Sequence, residues 1–98
     1  MAEIEVFLKL MNKGIKYYEH NKFPYITTEN ATIEDLIIEL HKDYGERFDV
    51  YLEDKEVRSL RRDTIIFVNG KNSVSTGGLK TKLSKGDLIV FMIAAVGG

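Results

Sequence analysis

Residues 3–10 alternate strictly along a strand, with Ile4, Val6, Leu8 and Leu10 on one side and Glu5, Phe7 and Lys9 on the other. Asn12 and Gly14 mark a turn over residues 11–16. A second strand is expected within residues 17–28, strongest at 23–28, with Pro24 placing it at an edge or at a strand start. The rhythm then changes. Ile33, Leu36, Ile37 and Leu40 recur at helical spacing, so residues 32–44 read as a helix. Thr32 fits its N-cap with Asp35 three residues on, Glu34 and Asp35 favour the positive end of its dipole, and Gly45 suits its C-terminal end. Residues 47–63 are ambiguous, with a short strand expected at Val50, Tyr51 and Leu52 before a polar stretch over residues 53–62. Residues 64–69 are β-branched and aromatic, and Asn69-Gly70 follows as a turn signal. Residues 74–83 should be irregular around Gly77-Gly78. Lys85, Gly86 and Asp87 form a tight turn into a last strand over residues 88–93.

Strand, strand, helix and further strands define an α+β class, a mixed sheet with one main helix packed on one face. The first and last strands are the most apolar, so they should be central neighbours, running parallel. Alternation then sends Ile4, Val6, Leu8, Ile66, Val68, Ile89 and Phe91 toward the helix. Phe7, Ile65, Phe67, Val90 and Met92 fall on the opposite face. Five apolar residues together on an open sheet face would form an interaction patch. The alternatives are a cover folded over them from residues 46–62 or 17–25, and self-association through the same face.

With 98 residues the chain has material for one domain and one core, and little for a deep catalytic pocket besides. A single domain over residues 1–98 with a flexible tail at 94–98 is expected. A net charge of −1 provides no long-range attraction to nucleic acid or to an anionic membrane, so neither is an expected partner. The absence of cysteine removes disulfides, thiol nucleophiles and thiolate metal sites. No basic region precedes an apolar run at the start, and residues 88–96 are too short an apolar run to span a bilayer, so a cytoplasmic protein is expected.

Most titratable clusters read as solvated surface. His20 and His41 lie in polar surroundings without metal-ligand spacing, and no metal site is expected. Asp43, Glu46 and Asp49 lack the spacing of a calcium loop. Gly70 and Gly77-Gly78 lack the Gly-Lys-Ser/Thr of a phosphate loop. Arg58, Arg61 and Arg62 form a small basic run, either a solvated loop or a contact to an acidic partner.

The last residues carry the chemistry. Gly97-Gly98 stands five residues beyond the last strand. By itself such a pair could be an incidental frayed end. Glycines, however, lack side chains, extend easily and enter channels too narrow for a Cβ. A carboxylate there can be joined to AMP and then attacked by sulfur or by an amine. Thr64-Ile-Ile-Phe-Val-Asn-Gly70, then Gly78-Leu-Lys-Thr-Lys-Leu83, then Lys85-Gly-Asp87 and an apolar strand running to Gly97-Gly98, resembles the sulfur-carrier family. That family includes the small subunit of molybdopterin synthase, the thiamine-pathway sulfur carrier and the archaeal ubiquitin-like modifiers. Thr32-Ile-Glu-Asp-Leu36 resembles the start of its helix. The resemblance is weakest over residues 11–30 and 46–62.

The resemblance implies a β-grasp, ubiquitin-like fold. It implies that Gly98, with Gly97 in the tail, is adenylated by an activating enzyme of the ubiquitin-activating type and becomes a thiocarboxylate. The chain itself would bind no cofactor, since ATP is used by that partner, and it would be no enzyme alone. Its further partner would be a larger synthase subunit or sulfur acceptor, most simply in molybdopterin synthesis. Phe7, Ile65, Phe67, Val90, Met92 and Val96 are the expected partner contacts. Where molybdopterin-synthase small subunits commonly carry Pro-Pro before the tail, this chain has Ile93-Ala94. Two other readings stay open: a modifier joined through Gly98 to lysines of target proteins, and a non-catalytic interaction domain of the same shape.

Overall fold

The computed structural model describes residues 2–11, 22–54 and 59–93. Strands β1 (Glu3–Met11), β2 (Phe23–Thr28), β5 (Thr64–Val68), β6 (Lys71–Asn72) and β7 (Leu88–Ile93) form one sheet in the order β2-β1-β7-β5-β6. Helix α1 (Ile33–Tyr44) covers one face, and a one-turn helix α2 (Glu46–Asp49) follows it. A second sheet is the small antiparallel ribbon of β3 (Leu52–Asp54) and β4 (Ser59–Leu60). The expected mixed sheet with a single main helix is thus present. β1 and β7 are central and pair in parallel, Phe7 beside Leu88 through Met11 beside Met92. β7 pairs antiparallel with β5, Thr64 opposite Ile93 through Val68 opposite Ile89.

Local chemistry sets each boundary. The Thr32 side chain accepts the Asp35 N–H at 3.2 Å and the Asp35 carboxylate accepts the Thr32 N–H at 3.0 Å, a complete capping box. Ile33 donates its N–H to Thr81 O at 3.0 Å, so residues 78–83 satisfy a further donor at the helix start. Gly45, at φ 55°, reverses the chain where side-chain-bearing residues are strained. Asn69 and Gly70 both have positive φ (53° and 83°), as a two-residue hairpin between β5 and β6 requires. β2 is an edge strand. The bond from Glu29 N–H to Ala2 O fixes its alternation so that residue 24 directs its backbone away from β1, where the N–H that Pro24 lacks removes no ladder bond.

The core lies between the sheet and α1. Val6, Leu8 and Leu10 of β1, Ile66 of β5 and Ile89 and Phe91 of β7 meet Ile33, Leu36, Ile37 and Leu40 of α1, all buried. Burying one such side chain contributes about 1.5–3 kcal/mol. Residues 46–52 complete this layer in a way that differs from the sequence expectation. The strand begins at Leu52 rather than Val50, because Phe48 of α2 and Tyr51 in the turn after it point inward and pack against Phe91, with ring centroids 5.2 and 5.6 Å away. Spacing of three residues places both rings on one side of a helical turn, which a strand would not do.

Candidate functional site

The five residues assigned to the outer face by alternation lie together on the three central strands. Phe67 stands opposite Val90, and Ile65 opposite Met92, across the β5–β7 ladder. Phe7 stands beside Leu88 on the β1–β7 side. All five are half-buried. Neighbouring strands about 4.8 Å apart let these side chains shield one another. Of the segments expected as a cover, Phe48 and Tyr51 pack on the opposite side, against Phe91, and residues 17–21 and 55–58 lie outside the described residues. Residues 23–25 lie in β2, within the sheet itself. The rim is charged. Glu5 is exposed beside the half-exposed Ile26 of β2, and the Lys22 ammonium sits 5.2 Å from the centre of the Phe7 ring.

β7 sets the direction in which the chain leaves this face. At its start, two turns are bolted together. Asn69 donates from its side-chain nitrogen to Asp87 Oδ1 at 2.9 Å, and its side-chain oxygen accepts the Leu88 N–H at 2.9 Å. Asp87 Oδ2 accepts the Ser84 N–H at 2.8 Å, and the Phe7 N–H donates to Asp87 O at 2.8 Å. Asn69-Gly70 and Lys85-Gly86-Asp87, two of the motifs behind the family resemblance, therefore form one clasp fixing the register of β7 against both neighbours. At the far end, Ile93 pairs with Thr64. Residues 94–98, including Val96, Gly97 and Gly98, lie outside the described residues.

That far end is built by Tyr51, Arg61 and Thr64. Tyr51 O accepts the Arg61 N–H at 2.8 Å and the Thr64 hydroxyl at 2.9 Å, so the turn into β5 is tied to the segment that packs under β7. Arg61 reaches Val50 O at 3.4 Å and Asp63 at 3.1 Å. Arg58 and His20 lie outside the described residues. His41, read as a surface histidine, is instead half-buried with Nδ1 2.6 Å from a carboxylate oxygen of the buried Asp49. The reversal at Gly45 folds α2 back onto the last turn of α1, a contact that sequence spacing does not reveal. Among the described residues no group of three or more His, Cys, Asp or Glu is arranged to hold a metal ion. No helix among them is long and apolar enough to cross a membrane.

Comparison with known proteins gives a consistent picture. The model of the ThiS family matches residues 18–98. No curated protein matches the chain. Among solved structures, small archaeal modifier protein 1 from Methanosarcina acetivorans is 24% identical, with a TM-score of 0.76 and all of both chains covered. Urm1 from Trypanosoma brucei is 17% identical, with a TM-score of 0.72, covering 100% of this chain and 99% of its own. CysO of Amycolatopsis orientalis, solved in complex with BexX, is 19% identical, with a TM-score of 0.67 over 95% of this chain and 99% of that one. These likenesses establish the β-grasp, ubiquitin-like fold.

Proposed function

The chain belongs to the ThiS family of ubiquitin-like sulfur carriers and small modifiers, and from that premise we propose that it carries sulfur on the carboxylate of Gly98. The family match runs through Gly97-Gly98, and this is the observation that carries the reading. A partner of the ubiquitin-activating type supplies ATP. The Gly98 carboxylate oxygen attacks the α-phosphorus, pyrophosphate leaves, and an acyl-adenylate forms. Hydrosulfide adds to the carbonyl carbon, AMP departs with the bonding electrons, a proton is lost, and a thiocarboxylate remains. A larger synthase subunit then receives the sulfur, with a molybdopterin precursor as the acceptor. The chain works as carrier or synthase subunit and catalyses nothing alone.

Two features of the fold support this division of labour. The clasp at Asn69 and Asp87 fixes the register of β7, the strand that precedes the tail. The outer face of Phe7, Ile65, Phe67, Val90 and Met92 offers an apolar surface, uncovered among the described residues, to the partner that receives the tail, with Val96 as a further contact.

The test is the intact mass of the full chain after incubation with ATP, sulfide and the activating enzyme of the same cell. A gain equal to one oxygen replaced by sulfur, mapped to Gly98, is expected. Deleting Gly98 should abolish the gain while leaving the melting transition in place. A thiocarboxylate on the truncated chain, or no gain with an enzyme proven on another carrier, would overturn the assignment. The full-length likeness to an archaeal modifier protein favours a second use of the same acyl-adenylate, attack by a target lysine to give an isopeptide bond. High-mass conjugates in lysate that survive thiol treatment would reveal it.

A further inference from the structure

Residues 46–62 are one of the two segments where the family resemblance is weakest, yet the fold brings their end to the root of the tail. Ile93, the last described residue, pairs with Thr64, and Arg61, Arg62 and Asp63 immediately precede Thr64. Two residues of chain span at most about 7 Å, so the Arg62 backbone sits beside the point where the tail departs. The turn that holds it is anchored. Tyr51 O takes bonds from both Arg61 and Thr64, and Tyr51 itself is fully buried against Phe48 and Phe91.

The charges on this platform are unevenly satisfied. The Arg61 guanidinium is engaged by Asp63 and by Val50 O. Arg62 is exposed and has no ion-pair partner among the described residues, although Glu53 and Asp63 line the same open recess of about 490 Å³. The planar fork of a guanidinium is pre-organised to take a carboxylate through two parallel hydrogen bonds. The exposed Glu53 lines the same recess and repels a second acid. The recess therefore favours one arrangement of charge on whatever meets it.

We propose that this platform is a selectivity element: Arg62 pairs with an acidic side chain at the mouth of the channel into which the activating partner takes the tail. This rests on the carrier reading above, and it assigns a role to the turn between β4 and β5. Arg62 is a positioning residue, since it touches none of the reacting atoms. It contributes electrostatic guidance to docking, and its effect weakens with salt.

Thiocarboxylate formation is measured at varied carrier concentration with the full chain, ATP, sulfide and the same activating enzyme. Arg62→Glu should raise the KM for the carrier about tenfold at low salt with kcat retained. Arg62→Lys should recover part of that loss, and the difference between Arg62→Glu and wild type should shrink at high salt. The Arg62→Glu melting temperature should stay at the wild-type value, which separates docking from folding. Equal KM for wild type and Arg62→Glu would overturn the platform's role and leave Gly98 untouched. A fall in kcat with constant KM would also overturn it, because Arg62 would then act on the chemical step. If wild type itself gains no sulfur with a proven enzyme, the carrier reading fails and this proposal falls with it.

Discussion

Tyr51 brings a hydroxyl into the core and gives it nothing to bond among the described residues. Its ring packs between Phe48 and Phe91, and its carbonyl ties down the turn into β5, but neither role uses the phenolic oxygen. An unpaired buried hydroxyl costs about 1–3 kcal/mol. Tyr51→Phe keeps the ring and the backbone, so it should stabilise the chain by about 1 kcal/mol, read as a raised denaturant midpoint with unchanged slope. The same burial pushes the Tyr51 phenol above the ordinary tyrosine range. For Tyr25, burial first and then its hydrogen bond to Asp43 act in the same direction. Below about pH 10 both phenols keep their protons whether folded or unfolded, and stability does not depend on them. Above it the unfolded chain releases protons that the folded chain still holds, so stability falls as pH rises. Denaturant midpoints across that range should decline more steeply for wild type than for Tyr51→Phe. A variant less stable than wild type at neutral pH would show that the hydroxyl is bonded after all.

Among the elements, α1 was legible because everything that makes it is local: a cap, a stripe at helical spacing and a glycine stop. Thr32→Ala removes the acceptor for the Asp35 N–H and the hydroxyl contact to the Asp35 carboxylate at 3.1 Å. It should cost about 1 kcal/mol in equilibrium unfolding, and an unchanged midpoint would show that the Thr81 contact alone holds the helix start. The strands were legible for the same reason, since alternation over 3–10 and 64–69 separates inner from outer residues without knowledge of the partner strand. Residues 46–62 were not. Phe48 and Tyr51 are buried only because Gly45 turns the chain under Phe91, and that contact joins residues about forty positions apart in the chain. The His41–Asp49 pair has the same origin. Of the candidate site, the outer face could be read from alternation and Gly97-Gly98 from resemblance. Arg62 stood out as part of a charge run, but its position beside the tail follows only from the pairing of Thr64 with Ile93.

For the whole molecule the question is whether one sheet can serve two purposes, holding the fold with its inner face and meeting a partner with its outer one. The two faces differ in kind. Ile89 and Phe91 are completely buried, while Val90 between them and Phe67 opposite it are only half-buried. Phe67→Thr combined with Val90→Thr places a β-branched residue of high strand propensity at each position, so the strands should retain their register. The pair should raise the KM for thiocarboxylate formation about tenfold, the loss of about 1.4 kcal/mol of docking free energy. Ile89→Ala, on the same strand but the inner face, should instead cost about 2–5 kcal/mol of stability. The two substitutions thus separate along different axes, one read by activation kinetics and the other by unfolding. If Phe67→Thr with Val90→Thr destabilises the chain as much as Ile89→Ala does, the outer face is core. Its cover would then be sought among residues 12–21, 55–58 and 94–98, which lie outside the described residues. If stability is kept and activation is lost, the outer face is the surface through which the partner holds the body while the tail reacts.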